Sequence, residues 1–237
     1  SFMAKWRVRG QDAGELLDRL SAGAVNGASG VITYTQWLGD DGGIEADLTV
    51  TKLDEGDFLV IASDTAYGHV EGLVHRAVGS ARVSIEDVTT SLAQLNVQGP
   101  RSREVLAGWA AGVDFATEAF PFRAVRQFQV GEIEVTCARI TYLGELGYEL
   151  YVPADQAGRV WRSLLNSGAA QGIRPVGLKA LSSLRMEKAY RDFGHDIDNT
   201  DSVWGVGLGF AVALDKPGGF VGLEAVREQK AAGVPHG

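Results

Sequence analysis

The sequence predicts a mixed α+β fold made of two antiparallel-sheet-and-helix halves related by a pseudo-repeat. Three observations carry this. Strand-like runs with apolar alternation recur between segments of helical period. Glycine-rich turns join neighbouring strands as hairpins. A strand that ends in glycine and opens directly into a helix occurs twice, about 90 residues apart.

The elements follow in chain order. Trp6-Arg7-Val8-Arg9 is strand-like and runs into Gly10, after which the segment 12–20 places Ala13, Leu16, Leu17 and Leu20 on one helical face. Val31 to Leu38 and Ile44 to Leu53 read as strands flanking Gly39-Asp40-Asp41-Gly42-Gly43, a hairpin turn by composition. Phe58 to Ala62 is a third strand and Thr65 to Val78 a second helix; Arg82 to Val88 leads into a strand around Leu92 to Val97. There the pattern restarts. Leu95 to Gly99 followed by Pro100 to Trp109 matches the opening strand, glycine and helix, with Pro100 at the favoured first helical position. Strands at Ala124 to Val130, Glu132 to Ile140 and Tyr148 to Val152 follow, then a helix from Asp155 to Leu165. Leu178 to Tyr190 reads as one helix, and Asp192 to Gly209 as an irregular stretch rich in glycine and aspartate. The expected division is 1–92 for the first half, 93–176 for the second, and 177–237 for a trailing helix and loop.

The chain has 237 residues, 45% hydrophobic and 22% charged, the profile of a soluble globular protein with a sizeable core. A net charge of -8 argues against a nucleic-acid partner, which needs a basic footprint, but still permits a local basic pocket for an anionic ligand. The single cysteine, Cys137, allows neither a disulfide framework nor a thiolate metal site and reads as a buried core thiol. No run approaches the ~18 apolar residues of a membrane span and no signal-peptide pattern opens the chain, so no membrane partner and a cytoplasmic location are expected. Ser1 enters a strand without leader or cap, and a helical pattern from Leu223 to Lys230 gives way to Gly233-Val234-Pro235-His236-Gly237. Both ends read as cuts through a longer polypeptide.

Gly205-Val206-Gly207-Leu208-Gly209 follows a loop rather than a strand and lacks dinucleotide-fingerprint spacing. His195-Asp196-Ile197-Asp198 lies where aspartates bond their own backbone, and no second cluster exists, so no metal is expected. Two carboxylates stand out instead. Asp47 falls inside a strand with Thr49 and Thr51 on one face and Ala46, Leu48 and Val50 on the other; Glu149 sits between Tyr148 and Leu150 and shares a face with Tyr151. On pattern alone, each fits a solvent-facing polar side equally well.

Five ordered segments carry a family resemblance. Gly42-Gly43-Ile44-Glu45-Ala46-Asp47-Leu48-Thr49-Val50, Leu95 to Pro100, Thr141 to Glu149, Ser183 to Lys188 and Gly194 to Asp198 resemble, in order, the motifs of the aminomethyltransferase (glycine-cleavage T-protein) superfamily. Tyr34-Thr35-Gln36-Trp37-Leu38 and Glu187 to Asp196 are similar to the branch found in dimethylglycine and sarcosine dehydrogenases.

The resemblance implies a tetrahydrofolate-binding domain that transfers a one-carbon unit from an iminium or N-methyl amine substrate. It implies FAD on a flavin oxidoreductase domain preceding this one in the same full-length chain, and a small C-terminal β-barrel of which most would lie beyond this sequence. By position, Asp47 falls on the catalytic aspartate, Glu149 on the glutamate that bonds the pterin ring, and Tyr34 and Tyr142 on tyrosines lining the folate pocket. Arg185 lies close enough to take part in folate binding, although a helix arginine paired with a local carboxylate is an equal reading. These residue types suit the chemistry. Carboxylates accept paired bonds from pterin N–H groups, tyrosine rings pack on flat heterocycles, and a carboxylate beside an amine can take its proton. One position departs from the free T-protein pattern: Leu181 stands where that family has a folate-contacting arginine. The alternatives are a stand-alone aminomethyltransferase served by a lipoyl carrier, or a non-catalytic folate-binding accessory protein; a sulfonium demethylase also fits.

Overall fold

The computed structural model describes residues 3–233; the readings made at Ser1, Phe2 and Val234 to Gly237 lie outside the described residues. The chain runs β1 (Ala4–Arg9), α1 (Ala13–Leu20), β2 (Val31–Leu38), β3 (Ile44–Asp54), β4 (Asp57–Ala62), α2 (Tyr67–Val78) and β5 (Ser84–Asp87). It continues through β6 (Leu92–Gln98), α3 (Ser102–Trp109), β7 (Val125–Val130), β8 (Ile133–Ala138), β9 (Gly147–Pro153) and α4 (Ala157–Ser167), and ends with α5 (Leu178–Glu187) and α6 (Leu223–Ala232).

Two antiparallel sheets form, with strand orders β2-β3-β4-β1-β5 and β6-β9-β8-β7. Written in reverse, the second is β7-β8-β9-β6, which matches β2-β3-β4-β1 strand for strand. The helices match as well: α1 and α3 each follow the first strand of their half, and α2 and α4 each follow the fourth. The pseudo-repeat is thus present in the connectivity of each half.

Amphipathic periods explain the packing. On α1, Ala13, Leu16, Leu17 and Leu20 are all buried, joining Trp6, Val8, Phe58, Val70 and Val74 in one core. On α3, Val105, Leu106 and Trp109 pack with Phe115, Phe120, Tyr148 and Val160 in another. Cys137 is buried in this second core, where desolvation holds the thiol in its neutral form, well above the usual thiol range.

Two local expectations are corrected. Pro100 is not the first helical residue. It sits in the turn before α3, where Ser102 N–H donates to Gly99 C=O at 3.0 Å and the helix proper starts at Ser102. The helix expected over 178–190 ends at Glu187. Tyr190 N–H donates to Arg185 C=O at 3.0 Å and Ala189 N–H to Met186 C=O at 2.9 Å, while Ala189 takes a left-handed φ of 56°. This is a Schellman termination with alanine in the position glycine usually fills. The buried Arg185 guanidinium reinforces it by donating from Nη1 to Tyr190 C=O at 3.0 Å.

By its contacts the chain divides into two compact units. One is Thr89–Arg191; the other comprises the described residues of Phe2–Val88 and Asp192–Gly237. The expected trailing segment, 177–237, is therefore shared out, with α5 in one unit and 192–233 in the other. Residues 192–233 are drawn into the first-half unit by a third apolar cluster, in which Ile197, Val203, Leu208, Phe220 and Val226 meet Ala22, Leu38 and Ile44. Lys216 anchors the return: its buried Nζ donates to Asp18 C=O and Ser21 C=O, each at 2.5 Å, and to Gly23 C=O at 3.0 Å.

Candidate functional site

In the first-half unit the hairpin β2–β3 sets Gln36 directly opposite Asp47 and Tyr34 opposite Thr49. Side chains of directly paired strand residues share a face, so Tyr34, Gln36, Asp47 and Thr49 stand together, away from the core-facing Ala46, Leu48 and Val50. Gln36 Nε2 donates to Asp47 Oδ1 at 2.8 Å, and Tyr34 bonds the same carboxyl. Burial nonetheless dominates and, with the nearby charge of Asp192, lifts the Asp47 carboxyl to about 6, against the two bonds from Tyr34 and Gln36 that favour its charged form. The ring of Tyr34 stacks on Phe210 with centroids 6.1 Å apart, and Phe210 is 78% exposed. An exposed phenylalanine stacked on a half-buried tyrosine, beside a half-buried carboxylate, is unusual surface for a domain to keep without a ligand.

In the other unit, β9 presents Glu149 between the core residues Tyr148 and Leu150. Tyr151, two residues on along the same face, donates its hydroxyl to Glu149 Oε2, and the Gln94 side chain also bonds this carboxylate. Burial raises the Glu149 carboxyl above its usual range in spite of these bonds, and pushes the Tyr151 hydroxyl well above its own. Gln94 Oε1 is buried and meets no donor among the described residues.

Tyr142, in the irregular segment between β8 and β9, donates its hydroxyl to Arg191 C=O at 2.8 Å and lies 6.3 Å from the Tyr190 ring. Arg185 is buried at the end of α5, serving the Tyr190 carbonyl. Leu181 is half-buried in the first turns of the same helix. Asp47 and Tyr34 thus fall on one constellation of the first-half unit, and Glu149, Tyr142 and Arg185 in the other unit, with Glu149 at the centre of its own hydrogen-bonded group.

Sequence reasoning assigned no role to Gln36, Gln94 or Phe210. A signal for Gln36 was available: it lies two residues after Tyr34 on the same strand face, in a hairpin whose short turn sets the register opposite Asp47. Phe210 had none, because its approach to Tyr34 depends on the return of a distant segment. The loop aspartates behave as turn residues: Asp198 Oδ1 accepts from Thr200 N–H at 2.8 Å and from the Thr200 hydroxyl at 2.6 Å. Among the described residues no group of three His, Cys, Asp or Glu side chains is placed to hold a metal ion. No helix among them is long and apolar enough to cross a membrane.

Comparison with known proteins adds the following. The sequence profile of the GCVT N-terminal domain matches residues 1–216. The chain is 35% identical over 226 residues to 4-methylaminobutanoate oxidase (formaldehyde-forming) of Paenarthrobacter nicotinovorans, covering 95% of this chain and 27% of that protein. It is 32% identical over 236 residues to the mitochondrial dimethylglycine dehydrogenase of Rattus norvegicus, covering 99% of this chain and 27% of that protein. It spans only about a quarter of these curated relatives. The crystal structure of glycine cleavage system aminomethyltransferase T from Bartonella henselae superposes with a TM-score of 0.86 at 25% identity, covering 99% of this chain and 62% of that one.

Proposed function

Because the chain belongs to the GCVT N-terminal domain family, we propose that it is the tetrahydrofolate-dependent one-carbon transfer domain of a larger N-methyl amine oxidoreductase. The observation that carries the reading is Asp47: a carboxyl lifted to about 6, held by Gln36 and Tyr34, with the exposed Phe210 ring stacked on Tyr34. A carboxylate with this proton affinity accepts a proton near neutral pH and returns it readily, as a base acting on an amine must. Its negative charge also favours a cationic one-carbon donor such as an iminium.

An acceptor carboxylate suits a pterin. Glu149 offers an acceptor carboxylate, steadied by bonds from Tyr151 and Gln94. A ligand carrying ring N–H and amino donors suits the Glu149 carboxylate, which accepts such donors in charge-assisted bonds. When bound, tetrahydrofolate supplies the nitrogens that take up the one-carbon unit. Asp47 holds the proton released there, and Tyr34 packs its ring and orients with its hydroxyl. Tyr142 and Arg185 enter the proposal through the family resemblance alone, since here the Tyr142 hydroxyl serves Arg191 C=O and the buried Arg185 serves Tyr190 C=O. Leu181 makes the hold on the folate tail different from that of a free T-protein.

Similarity to 4-methylaminobutanoate oxidase and dimethylglycine dehydrogenase supports a flavin-linked context, with FAD on another domain of the full-length chain and an N-methyl amine as substrate. Calorimetry with a stable reduced folate, on the full-length protein, tests the central statement. Saturable binding is expected. An absence of binding heat from folded protein, over a range of temperatures, would remove the folate reading.

A further inference from the structure

We propose that Gln36 is a positioning residue for Asp47: its amide, locked across the β2–β3 pair, holds the carboxylate oriented and ready to receive a proton. This rests on the reading of Asp47 as the acting carboxylate. Gln36 is fully buried although it is a polar residue on a strand, and it stands directly opposite Asp47. Its Nε2 donates to Asp47 Oδ1 at 2.8 Å, while its own Oε1 is buried and meets no donor among the described residues. An unsatisfied buried acceptor costs stability, and an apolar residue of similar shape would avoid that cost. What Gln36 does accomplish is the bond to Asp47. The amide has a single useful orientation, since turning it over would set a carbonyl against the carboxylate.

The choice of an amide also suits the chemistry. A lysine or arginine here would pin the carboxylate in its charged form with a proton affinity too low for a base. An amide donor favours the charged form more gently, against the burial and the Asp192 charge that oppose it. The other titratable groups around this face are Tyr34, which bonds Asp47, and Glu45 on the same strand, which is engaged by His69 Nε2 at 2.5 Å.

The test is a carboxyl-carbon NMR titration of Asp47 in the folate-free, full-length protein, comparing wild type with Gln36→Leu and Gln36→Asn. Leucine removes the donor, and asparagine is one methylene too short to reach. In either folded variant the Asp47 midpoint is expected to rise by about one pH unit, a tenfold gain in proton affinity, because the charged form loses a hydrogen bond. The rising limb of the pH–rate profile should move by the same amount, with the KM for folate nearly unchanged. A midpoint equal to that of wild type in the folded asparagine variant overturns the assignment, even if activity falls. Because the titration contains no folate, a shifted midpoint together with absent folate binding would remove the functional reading and leave standing only the control of Asp47 proton affinity by the Gln36 bond.

Discussion

The two halves share one connectivity and use it differently. In β2-β3-β4-β1-β5 the candidate carboxylate lies on the second strand of the order, held by its hairpin partner; in β6-β9-β8-β7 it also lies on the second strand, but that is β9, the counterpart of β4 rather than of β3. Asp47 is bonded from across the ladder by Gln36 and Tyr34, whereas Glu149 combines Tyr151 from along its own strand with Gln94 from the neighbouring one. Repetition therefore extends to the backbone and the cores and stops at the chemistry. A repeated scaffold fixes where strands run, and the polar faces are free to diverge because no core packing depends on them.

The sharpest way to break this contrast is to neutralise both carboxylates in the full-length protein. Asp47→Asn should lower the rate of one-carbon transfer by about 10²–10⁴-fold with little change in folate affinity, as for loss of a general base. Glu149→Gln should instead weaken folate binding and spare more of the rate. Kinetics and calorimetry on both variants check the pair; transfer by Asp47→Asn at the wild-type rate would end the proposed role of Asp47.

The cores should show the opposite behaviour, namely sameness. Leu17 on α1 and Leu106 on α3 occupy matching places in the repeat and both are fully buried. Truncation of either to alanine should cost about 2–5 kcal/mol, read by urea unfolding. A near-neutral result at one of them would mean that the repeated topology does not carry repeated packing.

Asp47→Asn has a second, smaller consequence of opposite sign. The folded Asp47 carboxyl is raised to about 6 from 3.8, so between those values the folded state binds more protons than the unfolded chain. Stability from this group is present at low pH and is lost as pH rises through about 6. Removing the charge should make the variant more stable than wild type by about 1–3 kcal/mol at pH 8, with the difference vanishing near pH 4. Thermal or urea unfolding at the two pH values measures this, and equal stability at pH 8 would show that the buried charge is better compensated than its surroundings imply.

The least of these effects separates two glycines that look alike in the sequence. Gly10 and Gly99 each end the first strand of a half, with φ of 142° and 117°. A Cβ on Gly10 would lie 2.1 Å from Arg82 C=O, a backbone atom, whereas one on Gly99 would meet nothing within 4 Å. Gly99→Ala should therefore cost about 1 kcal/mol from backbone strain alone, and Gly10→Ala distinctly more. Equal losses on unfolding would contradict the difference in close approach.

Much of this was legible in local pattern. The apolar alternation of β3, the face of α1 formed by Ala13, Leu16, Leu17 and Leu20, and the return of strand, glycine and helix in the second half all follow from side-chain periodicity, and the structure realises them. The position of Asp47 on the polar face of β3 was equally visible. Its raised proton affinity was not, because that depends on burial and on Asp192, 145 positions later in the chain. Nor was the end of α5, where a buried arginine and a left-handed alanine overrule helical propensity.

By itself, then, the sequence determined the class of fold, the order of its elements, and, through five ordered motifs, the family and the residues to suspect. Only the tertiary structure decided that residues 192–233 return to the first-half unit, that Phe210 stacks on Tyr34, and that Gln36 holds Asp47. The physical reason is range. Periodicity and turn chemistry act over a few residues and are written in the chain, whereas the burial of a carboxylate is set by whichever distant segments pack around it.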